Sequence, residues 1–178
     1  MLPIKRIYSV YTSLKLSKDL NFLVALAIFI LTIILSTGVS FHWIQLSFLV
    51  GPLKFSHWLS WIGSLFIAIY TPVYTILKRR NPKRIKDLLK IHTLGNLLAF
   101  MFVSLHYFQS TPRGTGEALF ITVTILVVTG FISRFQLLKN IGKYNLIKPH
   151  VNKFIHISVT SAFYIVIIVH IIQHLGAP

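Results

Sequence analysis

Ile91-His92-Thr93-Leu94-Gly95-Asn96-Leu97-Leu98-Ala99-Phe100-Met101-Phe102-Val103-Ser104-Leu105-His106-Tyr107-Phe108-Gln109-Ser110 lies between Lys90 and Arg113 without a formal charge. About 20 such residues in a helix cover the roughly 30 Å hydrocarbon core of a bilayer. Four further stretches read the same way: residues 20–41, 55–77, 118–138 and 154–175. The whole chain agrees with its parts. Of 178 residues, 54% are hydrophobic and 12% charged, and mean hydropathy is +0.73. Soluble domains are about a quarter charged, so a cytosolic enzyme is excluded. The expected fold is all-α: one bundle of five transmembrane helices spanning residues 1–178.

The connections fit this count. Thr111-Pro112-Arg113-Gly114-Thr115-Gly116 breaks spans three and four, and Asn81-Pro82 ends span two. Residues 83–90 read as a short basic helix at the interface, with Pro82 at its first position. The apolar stretch 43–53 ends in Gly51-Pro52 and reads as re-entrant or interfacial. The first span has basic residues before it and no small-residue cleavage site after it, as an uncleaved anchor would.

The net charge of +15 would point to nucleic acid in a polar chain. Here the cations sort by side. Lys5, Arg6, Lys15 and Lys18 precede span one; seven Lys or Arg lie in 78–90 and five in 134–153. With five spans these segments share one side and hold sixteen of the eighteen cations, against Lys54 and Arg113 opposite. The positive-inside rule then places the N-terminus inside and the C-terminus outside, as in a prokaryotic cytoplasmic membrane protein in contact with lipid. Topology accounts for the charge without nucleic acid. The basic inner face also suits an acidic protein partner.

Four of the eight histidines form a pattern. His92 and His106 in span three are fourteen residues apart, and so are His156 and His170 in span five. On a helix that spacing leaves side chains about 40° from alignment and about 21 Å apart along the axis. Spans three and five run in the same direction. His92 and His156 therefore share the inner depth, and His106 and His170 the outer depth. The pairs are too far apart to share one metal ion. Two imidazoles facing across a flat macrocycle are the axial set of a bis-histidine haem, and without cysteine the haem is held non-covalently, as haem b or a modified relative. Gly95 and Ala99, on the His92 face, leave room for a ring edge. Lys90, Arg134 and Lys153 inside and Arg113 outside are candidates for the haem propionates. His57 is a further propionate candidate, and His174 a candidate for an outer substrate or quinone site. His42 and His150 lie in connections, where solvated histidines are expected.

The His-x13-His spacing on two helices separated by one other resembles two families. One is the ferric-reductase-like transmembrane domain, with ligands on its third and fifth spans and a cytoplasmic N-terminus. The other is cytochrome b of the bc-type complexes, whose first ligand helix also carries Gly three residues after His, as in His92-Thr93-Leu94-Gly95. The resemblance covers residues 91–174 and implies transmembrane electron transfer through two b haems. Ferric reductases continue into a sixth span and a flavin and nicotinamide module. This sequence has five spans and no Gly-x-Gly-x-x-Gly, so a separate redox partner protein or a quinone is expected, in a larger membrane complex. Against cytochrome b, there is an extra N-terminal span and no Pro-Glu-Trp-Tyr loop. Two alternatives stay open: a quinone-reactive anchor of a peripheral oxidoreductase, and a histidine-based proton or metal transporter without haem.

The orientation is testable directly. A reporter fused after Pro178 should be active only when it matures outside the cytoplasm. Activity restricted to the cytoplasm would require an even number of spans or the opposite orientation.

Overall fold

Hydrocarbon offers no water to a backbone amide, so apolar stretches of this length must satisfy their hydrogen bonds internally, as helices. The computed structural model describes residues 3–110, 114–135, 137 and 149–175. Its helices are α1 (Pro3–Ser40), α2 (Phe55–Arg80), α3 (Ile85–Gln109), α4 (Thr115–Phe135) and α5 (Pro149–Leu175). All five contain a segment long and apolar enough to cross a membrane. Large apolar side chains such as Leu23, Ile34, Ile62, Ile69, Ile165 and Ile172 face outward, where a membrane protein meets lipid. The protein is an all-α integral membrane protein.

Set beside the sequence expectation, three details stand out. The basic stretch 83–90 is not a separate helix: Pro82–Arg84 is one 3₁₀ turn, and α3 begins at Ile85. Asn81 ends α2 and Pro82 opens that turn, so Lys86 and Lys90 belong to the first turns of α3. Asp87, the acidic residue there, suits the positive end of the helix dipole. The stretch 43–53 forms a short hairpin, Leu49–Val50 pairing antiparallel with Leu53–Lys54. Gly51 takes the left-handed φ (62°) that the first residue of a II′ turn requires. Trp43 and Leu49 stand 79% and 71% exposed. Lastly, α4 is described to Phe135, and most of the expected continuation to 138 lies outside the described residues.

His42 is exposed in a connection, as expected, and its backbone closes α1. Its φ is 60°, its N–H donates to the Val39 carbonyl at 3.0 Å, and the Trp43 N–H donates to the Gly38 carbonyl at 2.8 Å. That pair of bonds is a Schellman cap with histidine at the left-handed position.

The packing builds a ring of four helices. α2 packs on α3, α3 on α4 and α4 on α5. Small residues let α2 and α3 approach: a Cβ at Gly63 would sit 2.6 Å from the Ala99 carbonyl, and one at Gly95 would run into the Phe66 ring. α1 packs outside the ring on α3, and its Phe22 and Phe29 meet Phe131 of α4, each at 6.1 Å between centroids. The ring closes through Tyr164 of α5, whose hydroxyl donates to the Ala68 carbonyl of α2 at 3.1 Å. Sequence explains the acceptor. Pro72 lies inside α2 and has no N–H, so the carbonyl four residues earlier, that of Ala68, loses its helical donor. α3 and α5 thus stand on the diagonal, and their backbones make no extensive close approach among the described residues.

Tyr164→Phe should therefore destabilise the protein by about 1–3 kcal/mol, the cost of a buried unsatisfied carbonyl, read as thermal unfolding in detergent. Pro72→Ala restores an N–H to Ala68, so in that background Tyr164→Phe should cost much less. Equal costs in both backgrounds would refute the assignment.

Candidate functional site

His92 of α3 and His156 of α5 each lie seven residues into their helices, at the same end of the diagonal pair. Both are half-buried. The His92 ring stacks on Tyr74 of α2, 4.4 Å between centroids and 12° between planes, with Tyr70 to one side of both at 6.3 Å from His92. Its Nδ1 lies 3.4 Å from the Asn96 amide one turn along α3. On the other side, the His156 Nδ1 is 2.9 Å from the Thr129 hydroxyl of α4. The ring reaches α4 because Gly130 has no side chain: a Cβ there would be 3.3 Å from His156 Cε1. Asn152, one turn before His156 and 3% exposed, donates to the Thr129 carbonyl at 3.0 Å and to the Ser133 hydroxyl. Thr129 is thereby gripped twice from α5.

Cations border this inner pair. Lys78 Nζ lies over the Tyr74 ring, 5.8 Å from its centroid, and its charge reaches His92. The Arg134 charge reaches Tyr74. Of the three inner candidates from sequence, Arg134 is thus placed beside the pair, while Lys90 and Lys153 are exposed side chains. Lys78 was missed because it reads from sequence as one of seven cations in a loop.

The outer end holds His106, His57 and His170. The His57 and His106 rings meet edge to face at 4.7 Å. The His170 Nδ1 is 3.3 Å from the Thr115 hydroxyl, which donates to Gln173 Oε1 at 2.7 Å. Arg113 and the His174 side chain lie outside the described residues. Among the described residues no group of three or more His, Cys, Asp or Glu could hold a metal ion.

The small residues of α3 serve packing. Phe66 occupies the space in front of Gly95, and Ala99 is buried where α3 crosses Gly63. The small residue that admits a histidine ring is Gly130 on α4, which the sequence reading overlooked. Thr115 and Thr129 were also overlooked. Their fourteen-residue spacing, equal to that of the histidines, was the available signal.

Comparison of the chain with protein-family models, with curated proteins and with solved structures finds no match.

Asn152→Leu keeps the volume but leaves the Ser133 hydroxyl and Thr129 carbonyl without this donor. A loss of about 1–3 kcal/mol is expected, against about 0.5 kcal/mol or less for the exposed neighbour Lys153→Ala. Parallel thermal melts of the two variants check it.

Proposed function

We propose that this protein is a transmembrane electron-transfer subunit holding two b haems, each between one histidine of α3 and one of α5. The observation that carries the reading is the diagonal of the ring. Two helices that bear histidines at matched spacing stand across the ring from each other, held apart by α2 and α4. The donor set suits a haem: two histidines on each of the two diagonal helices, in a chain without cysteine. The ring of His156 is oriented by hydrogen bonds, as metal-ligating histidines usually are.

His92 and His156 would hold the inner group, and His106 and His170 the outer. Arg134 and Lys78, cations beside the inner pair, are suited to the propionate carboxylates. Tyr74, stacked on His92, fixes the plane of that ring. A haem held by two such histidines would supply one-electron exchange. The protein's share is to hold the rings, exclude water with the apolar core around Phe100, Val123, Leu126 and Phe163, and neutralise charge at the inner mouth. The electron source and sink would be a redox partner or quinone. The spacing and the N-in arrangement expected from the cations favour a ferric-reductase-like or cytochrome-b-like subunit.

The visible spectrum of protein purified in detergent tests this. Reduced protein should show sharp α and Soret bands, with about two haems per chain. His92→Ala or His156→Ala should remove the inner haem, and His106→Ala or His170→Ala the outer. Absence of the bands would overturn the haem reading in favour of a haem-free histidine transporter. Loss of the same haem in His106→Ala and His156→Ala would overturn the pairing by depth.

A further inference from the structure

The two histidines of α5 are met by the same kind of residue on α4. Thr129 approaches His156 Nδ1 at 2.9 Å and Thr115 approaches His170 Nδ1 at 3.3 Å. The threonines are fourteen residues apart, as are the histidines, in the opposite order expected of antiparallel neighbours. One contact would be a packing accident with little meaning. Two, in register at both depths, make a second matched pair of positions.

The direction of each bond follows from where the hydroxyl proton goes. Thr129 donates to the Ile125 carbonyl one turn back, at 2.7 Å. Its oxygen then faces His156 as an acceptor, which requires the proton on Nδ1. Thr115 is the first residue of α4 and has no preceding helical turn to donate to. Gln173, three residues after His170, supplies the acceptor instead at 2.7 Å. With its proton directed there, Thr115 also presents an oxygen to Nδ1.

We propose, resting on the di-haem reading, that Thr129 and Thr115 are positioning residues that fix His156 and His170 as Nδ1–H tautomers, so that each offers the Nε2 lone pair to iron. An acceptor on Nδ1–H makes the imidazole a stronger donor to its metal. Stronger donation stabilises the ferric state, so each threonine lowers the reduction potential of its own haem. Gln173 acts at the outer site through Thr115.

The experiment is a spectroscopic redox titration of the purified holoprotein, with the two haems assigned through the single His→Ala variants. Thr129→Val keeps the shape and removes the acceptor: the inner haem should shift to higher potential while the outer one stays in place. Thr129→Ser should restore the original value. Thr115→Val should raise the outer haem alone, and Gln173→Leu should move it in part. Thr115 opens its helix and is half-buried, so its variant reports even where Thr129→Val folds poorly. Selective loss of the inner haem in Thr129→Val, recovered in Thr129→Ser, would also support the proposal. Potentials unmoved in haem-replete Thr115→Val and Thr129→Val would overturn it, as would equal shifts of both haems in either variant. Wild-type protein without haem would instead overturn the di-haem reading on which it rests.

Discussion

One hydrogen bond decides which helices face each other. Pro72 strips the Ala68 carbonyl of its helical donor, and Tyr164 supplies a replacement from α5. In water that carbonyl would be solvated at little cost. In a bilayer an unsatisfied backbone group costs several kcal/mol, so the freed carbonyl fixes where α5 sits. Without this link α5 would be held mainly along α4. With it, α5 reaches α2, and the only place left for α3 is across the ring. The closure that leaves α3 and α5 on the diagonal thus draws on a proline of a third helix.

The same scarcity of partners sorts the hydroxyls. Thr32, Thr75, Thr93, Thr122, Thr124 and Thr160 each donate to the carbonyl four residues back, at 2.7 to 3.0 Å. That bond satisfies the proton and leaves the oxygen's lone pairs directed outward. Thr129 differs because Gly130 beside it lets an imidazole come close. A residue type that normally satisfies itself becomes an acceptor between helices where its neighbour lacks a side chain. Asn152 reinforces the position by taking up the Thr129 carbonyl.

The spans were legible in the sequence because lipid imposes length and apolarity on each segment separately. The spacing of His92 and His106 on α3, and of His156 and His170 on α5, was legible for a similar reason: fourteen residues fix an angle and a rise within one helix. What lay between helices was not. Gly95 shares a face with His92 by sequence, yet how that face is rotated against α2 decides that Phe66 covers it. The Thr129–His156 contact depends on the register of α4 against α5, which no single-helix periodicity encodes. Lys86 and Lys90 read as an interfacial helix because proline marks a break, whereas the break spans a single 3₁₀ turn. His42 read as a solvated histidine, and its φ of 60° became visible only with the chain traced.

On the proposed reading, two influences act on the inner pair in opposite senses. Nearby positive charge, from Lys78 and Arg134, favours a site that has gained an electron. The acceptor at Thr129 disfavours it by strengthening the ligand. Distance and solvent decide between them. Lys78 is exposed, and its amino group is 5.8 Å from the ring of Tyr74, which itself stands between it and His92. Water and salt screen such a charge. Thr129 is 8% exposed and touches His156 at 2.9 Å, in surroundings where an electrostatic contact keeps most of its strength. The cations are therefore better suited to holding carboxylates at the inner mouth, and the buried hydroxyl to setting the affinity of the site for an electron.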